Sequence, residues 1–211
     1  MRSNEEFSQL LFPTRCFGCN TVGLSICSTC RLEWHPHYYA TRFSTMSIHS
    51  AVLYSATASK IILAAKENGL KGADALIVRA IVHVLEKADF SHHNVRLVPI
   101  PSSLSARRRR GRSFIVDIVN EVSKSSGYPV ANYLEVVRKV RDQSGLVASA
   151  RSLNMEGAFA VKPSAHPRGD LILIDDVVTT GATLREAARA LSTQGFTVLA
   201  SVTACVAQPL R

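Results

Sequence analysis

Two clusters of side chains in this chain have the types and spacing to do chemistry. The first is Cys16, Cys19, Cys27 and Cys30, spaced C-x2-C-x7-C-x2-C. Two CxxC knuckles facing each other place four thiolates at the corners of a tetrahedron, the geometry Zn²⁺ takes from sulfur. Two disulfides, or four idle buried thiols, are the competing readings. A chain without a secretory leader stays reduced, which favours the metal. Four protein ligands leave no open position for water, so the zinc is expected to be structural. A segment this short builds no core of its own, and the ion would supply its folding energy. His35 and His37 lie nearby, but four cysteines complete the shell, so these histidines are expected at the surface or in packing. The fifth cysteine, Cys205, sits in the apolar run FTVLASVTACVA and is expected to be buried in a strand.

The second cluster is the segment LILIDDVVTTGATLREA, residues 171 to 187. An apolar run reads as a strand covered on both faces. It leads into two carboxylates, Asp175 and Asp176, then the turn Thr179-Thr180-Gly181-Ala182-Thr183, then a helix. Turn amides, the positive end of the helix and three hydroxyls together suit a phosphate monoester. Gly181 lets the backbone approach a ligand closely. The carboxylates can only accept, so they call for a metal ion or a pair of hydroxyls. A phosphate and a vicinal diol held a few residues apart describe ribose 5-phosphate. Two rival readings exist. One is simple helix capping, for which a single residue would suffice. The other is a metal-binding acid pair, which does not explain the Thr-Thr-Gly turn.

The elements that must position these groups follow from periodicity. HSAVLYSA reads as a short strand, and ATASKIILAAKENG as a helix ended by Gly69. ADALIVRAIVHVLEKA is a stronger helix, with Leu76, Ile77, Ala80, Ile81, Val84, Leu85 and Ala88 in a stripe at helical spacing. His83 flanks that stripe as a partly buried helix residue. VRLVPIP is a β-branched run ended by proline, hence a strand. SSLSARRRRGR reads as a loop. SFIVDIVNEVSKSSG is an amphipathic helix with Phe114, Ile115, Ile118, Val119 and Val122 on one face. Residues 133–137 read as a further strand, ATLREAARALSTQG as a helix ended by Gly195, and FTVLASVTACVA as a strand. WHPHYYATRFS reads as irregular, and QSGLVASARSLNMEGAFAV is mixed. Alternating strands and helices imply parallel βαβ units with right-handed crossovers.

Composition bounds the answer. The chain has 211 residues, 46% hydrophobic and 19% charged. That is one full domain with a small appendage, and it excludes disorder, collagen and coiled coil. No apolar run approaches the roughly 18–20 residues of a membrane span. The first residues, MRSNEEFSQLLFP, carry two glutamates and lack the apolar stretch of a secretory signal, so the cytoplasm is the expected compartment. With 25 Lys and Arg against 16 Asp and Glu the net charge is +9, which favours anionic partners. Arg107 to Arg110 and Arg112 concentrate much of that charge.

The segment at 171–183 resembles the phosphoribosyl pyrophosphate (PRPP) binding motif of type I phosphoribosyltransferases: four apolar residues, two acids, two variable positions, then Thr-Thr-Gly-x-Thr. Four cysteines ahead of such a domain resemble the ComF/GntX (competence protein F) branch. So do Lys66 to Gly69 as Lys-x-x-Gly, VPIP followed by an Arg-rich Arg-Gly, and Gln143, Arg151, Asn154 and Gly157-Ala158-Phe159. The resemblance spans most of residues 10 to 206. Many relatives carry Arg-Gly-Phe-Asn-Gln after the VPIP loop; here the residues are Arg110-Gly111-Arg112-Ser113-Phe114, a departure that bears on substrate choice.

The resemblance implies an α/β parallel-sheet phosphoribosyltransferase fold, with a zinc ribbon at 1–45 and the phosphoribosyltransferase-like domain at 46–211. It implies an enzyme using PRPP with Mg²⁺ and a nucleobase-like acceptor. Asp175 and Asp176 would take the ribose hydroxyls, and Val178, Thr179, Thr180, Gly181, Ala182 and Thr183 would form the 5-phosphate loop. Pyrophosphate would depart toward the next strand end, where Ser102, Ser103, Arg107 and Arg110 stand, with Lys66 a further candidate. No residue stands out as a general base, although Asp176 could serve. A non-catalytic PRPP sensor, or a module binding DNA or a DNA-processing protein in DNA uptake and natural transformation, is the alternative.

Overall fold

The computed structural model describes residues 13–43, 46–91, 94–138 and 155–207. The expected motif residues Gln143, Arg151 and Asn154, and the first twelve residues, lie outside them. In chain order the elements are α1 (Ser28–Glu33), β1 (Tyr39–Phe43), β2 (Met46–Leu53), α2 (Ala56–Lys66), α3 (Lys71–Ala88), β3 (Val95–Pro99), α4 (Leu104–Arg110), α5 (Phe114–Ser126), β4 (Leu134–Val136), β5 (Phe159–Val161), β6 (Asp170–Val178), α6 (Ala182–Ser192) and β7 (Thr197–Val206). Among the described residues one sheet has the order β1-β2-β7-β6-β3, and β4 and β5 form a separate antiparallel ribbon. β2, β7, β6 and β3 run parallel, while β1 joins the edge antiparallel to β2. The parallel sheet follows from the strand–helix alternation, because each return to the same sheet edge needs a covering helix.

β6 is the spine. Leu171, Ile172, Leu173 and Ile174 are fully buried, as a central strand covered on both faces requires. Successive side chains alternate between two apolar layers. Ile172 and Ile174 join Leu97 and Val202 under α2, α3 and α5. Leu171 and Leu173 join Ile48 and Val98 under α6 and the β4–β5 ribbon. The expected helix faces are the ones that pack: Leu76, Ile77, Ala80, Ile81, Val84 and Leu85 on α3, and all five named residues on α5, are buried. His83 is half-buried, and Cys205 is wholly buried in β7.

Two segments differ from the sequence reading. The stretch at 39–43 is a strand, with Tyr39 opposite Ser50 and Phe43 opposite Met46. Its residues alternate half-buried and exposed from Tyr39 to Arg42, the period of an edge strand, and the preceding aromatics and proline obscure that short pattern. The Arg-rich segment is a helix of seven residues rather than a loop. Its start and stop signals are in the sequence. Ser103 caps it by accepting the Ala106 amide at 3.3 Å, and Gly111 ends it in the left-handed region. No helix among the described residues is long and apolar enough to cross a membrane.

Candidate active site and candidate metal centre

β6 carries the two acids in its last turn of pleat, and α6 begins just beyond. Gly181 occupies the link with φ of +67°, a conformation that costs any residue with a Cβ. It is the N-cap of α6 and offers no side-chain cap, while Thr180 Oγ1 accepts the Ala182 amide at 3.4 Å. Asp175, Val177 and residues 178 to 184 line a small open concavity. Every residue of the expected phosphate loop is therefore drawn round one hollow at the positive end of a helix.

The acids part company. Asp175 borders the hollow, and its Oδ1 accepts the Asp176 amide at 2.9 Å. Asp176 is 5% exposed and takes an ion pair from Lys66 Nζ at 2.5 Å. Lys66 is the last residue of α2, where a cation also suits the helix dipole. Its ammonium lies 5.9 Å from the centroid of the Phe114 ring on α5. Burial and the Asp176 charge hold the Asp175 carboxyl well above the ordinary range. Burial also pushes on Asp176, but the Lys66 charge and hydrogen bond win and hold it below. Burial would lower Lys66, yet the two carboxylates raise it.

The remaining expected residues sit on two neighbouring features. Ser102 and Ser103 follow β3, which pairs with β6 through Pro99 opposite Ile174. Ser102 and Arg107 line a cavity of about 370 Å³ together with Asn132, Glu135 and Lys162. Arg110 turns the other way. Its Nε and Nη2 both donate to Glu67 Oε1, at 2.9 and 2.7 Å. Arg112 binds Asp74 and Asp117, both at 2.9 Å. Sequence reasoning missed the Lys66–Asp176 and Glu67–Arg110 pairs. The only available signal was that Lys66 and Glu67 adjoin at a helix end, since their partners lie 110 and 43 residues away.

The four cysteines meet as expected. Their sulfurs all lie within 4.8 Å of one another, and those of Cys19 and Cys27 are 3.6 Å apart. All four are free thiols. A tetrahedron with Zn–S of about 2.3 Å spaces its sulfurs by about 3.8 Å, so this donor set can bind zinc. Local structure aims them. Cys27 caps α1 and donates its amide to Cys16 Sγ at 3.3 Å, and Cys30 lies one turn along. Burial pushes the Cys30 thiol up to about 12. Burial resists ionisation of Cys16 too, but the amides of Cys19, Cys27 and Gly18 bring it down to about 6. Four thiolates this close repel one another unless a cation sits among them. His35 and His37 are exposed and stand outside the cluster. Cys16, Ile26, Cys30 and Trp34 are continuous with the core under α2 and α3, and Trp34 Nε1 donates to the Leu76 carbonyl at 3.4 Å.

Competence protein F of Haemophilus influenzae (strain ATCC 51907 / DSM 11121 / KW20 / Rd) is 31% identical over 102 residues, covering 47% of this chain and 44% of that protein. The chain thus matches somewhat under half the length of this curated relative. A crystal structure of adenine phosphoribosyltransferase is 13% identical, with a TM-score of 0.47 over 85% of this chain and 89% of that one. The adenine phosphoribosyl transferase of Trypanosoma brucei is 12% identical, with a TM-score of 0.42 over 87% of this chain and 82% of that one. The phosphoribosyl transferase domain model matches residues 74–209, which contain the acids, the Thr-Thr-Gly turn and β7. With that match over more than half its length, and with a four-cysteine cluster ahead of it, the chain belongs to the phosphoribosyl transferase domain family and is a ComF-like member of it.

Proposed function

We propose that this protein binds PRPP at the carboxyl end of β6 and transfers the phosphoribosyl group to a nucleobase-like acceptor. The observation that carries the reading is the hollow where Asp175 and residues 178 to 183 converge on the start of α6. The 5-phosphate lies in the turn, against the amides and hydroxyls of Thr179, Thr180, Gly181, Ala182 and Thr183. The ribose diol donates to Asp175 and Asp176, which have only acceptors to offer when ionised. Bound with PRPP, Mg²⁺ would supply charge neutralisation for the pyrophosphate. Displacement at C1 passes through a cation-like sugar, so the protein's work is positioning and charge placement. Ser102 and Ser103, at the end of the strand beside β6, receive the pyrophosphate, with Arg107 as a forked donor near by. Arg110 would have to leave Glu67 to take part. In this division of labour residues 1–45 form the metal-stapled unit and 46–211 carry the sugar-phosphate chemistry, in the cytoplasm.

Calorimetric titration with PRPP and Mg²⁺ tests the binding. Asp175→Ala and Thr183→Ala should each abolish the heat, and heat unchanged by both would sink the reading. Mass spectrometry after incubation with a pool of nucleobases tests transfer.

A second reading has its own observation. Arg107, Arg108 and Arg109 are all exposed on α4, a compact basic surface suited to nucleic acid. Binding to DNA that weakens steeply with salt, and less steeply after replacing these arginines, would support it. Salt-insensitive binding counts against it.

A further inference from the structure

Asp176 is a buried carboxylate held by one cation, and that has a consequence for the sugar. Asp175 and Asp176 are consecutive on β6, and among the described residues the cation bonded to them is Lys66 alone. The other groups facing this cluster are accounted for. Glu67, next to Lys66, is held by Arg110 and Arg109. Arg112, which shares the Phe114 ring with Lys66, is held by Asp74 and Asp117. Cys205, opposite Val177 on β7, is kept as a neutral thiol by burial and by the Asp176 charge. One ammonium bonds Asp176, the buried member of the pair, while Asp175 is half-buried at the rim of the hollow and has the Asp176 amide as a donor. A carboxylate as buried as Asp176 stays ionised only beside its cation.

We propose that Lys66 is a positioning residue of the sugar site: its ion pair keeps the buried Asp176 an ionised acceptor for a ribose hydroxyl. The claim rests on the PRPP reading of the hollow, and it differs from a pyrophosphate role for Lys66. The ammonium acts through Asp176 and touches no reacting atom. Its place at the C-terminal end of α2 and beside the Phe114 ring fixes it there by packing as well as by charge. Without Lys66 the buried Asp176 carboxyl would favour its protonated form and lose acceptor strength toward the diol.

The test compares Lys66→Met and Lys66→Arg with the parent protein. PRPP–Mg²⁺ affinity is measured by calorimetry from about pH 6 to about pH 8.5, and the mutant-to-parent ratio removes titration of PRPP itself. For Lys66→Met the loss should be roughly tenfold greater for each pH unit below the new carboxyl value, shrinking toward the alkaline end. Lys66→Arg should track the parent. A pH-independent ratio for Lys66→Met, or a Lys66→Arg profile that matches it, overturns the proposal, since a merely structural or pyrophosphate-binding lysine gives those results. A second readout needs no PRPP. Carbon-13 titration of aspartate carboxyls should show Asp176 titrating at higher pH in Lys66→Met than in the parent. An unchanged carboxyl spectrum refutes the counter-ion role even in a protein that fails to bind PRPP. Failure of the parent to bind PRPP, with the spectrum as expected, refutes only the functional reading beneath it.

Discussion

At the residue scale, Asp175 is a group the fold holds against its own preference. Burial and the neighbouring Asp176 charge raise its carboxyl well above the usual 3.8. An acid raised on folding contributes stability that is full below its unfolded value and is lost as pH climbs through the folded one. Asp176, held low by Lys66 despite its burial, has the opposite sign, and its contribution disappears as pH falls. Asp175→Asn should therefore melt higher than the parent, by a margin that widens as pH rises from about 4, while PRPP binding is lost. Melting curves at a series of pH values check the sign, and a constant difference would contradict it. Gly181→Ala forces a Cβ into φ of +67°. A cost of about 1–2 kcal/mol is expected from the left-handed backbone alone, read by denaturant unfolding, together with a marked loss of PRPP affinity as the amides turn away.

At the element scale, the end of α2 lies beside α5 and is tied to α4 through Glu67, by contacts of unequal weight. Phe114 is 1% exposed and lies within reach of both the Lys66 and Arg112 cations. Phe114→Ala should destabilise by about 3–5 kcal/mol through its cavity. It should also disorder Lys66, so that PRPP affinity falls further than stability alone explains. Arg110→Ala is a milder change. It removes the closer of the two α4 arginines on Glu67, across a pair that solvent partly screens, for about 1 kcal/mol or less in unfolding experiments. Arg107→Ala, on an exposed side chain at the rim of the β3 cavity, should leave stability untouched. If Arg107 meets the pyrophosphate, this variant weakens PRPP binding without moving the melting temperature. The same scale shows why the seven-residue helix was hidden. Four consecutive arginines have no apolar period, and α4 buries none of its residues, so only Ser103 and Gly111 marked it.

At the scale of the whole molecule, the candidate metal centre is continuous with the core over which Lys66 is placed. Cys16, Cys30 and Trp34 pack with α2 and α3, and α2 ends in Lys66. Removing the metal with a chelator should lower the melting temperature of the entire protein, because four adjacent thiols would be left to repel or protonate inside that core. Calorimetric scans with and without chelator measure it. Gly18→Ala should do the same without chelator, since its Cβ would stand 2.6 Å from Cys30 Sγ and 2.9 Å from the Thr57 side chain. A Gly18→Ala protein with full zinc content and an unchanged transition would show that the knuckle tolerates the intrusion.

Much of this was legible in the chain itself, because the signals are local. Hydrophobic period marks β6, α3 and α5; two CxxC steps mark the metal ligands; two acids before Thr-Thr-Gly mark a strand end and a helix start, since each pattern is set by geometry within a dozen residues. What only the folded molecule decided lies between distant segments. Lys66 meets Asp176 across 110 residues, and Arg110 meets Glu67 across 43. An ion pair leaves no period in a sequence: any lysine can reach any aspartate, and which ones do is fixed by how the helices pack over the sheet.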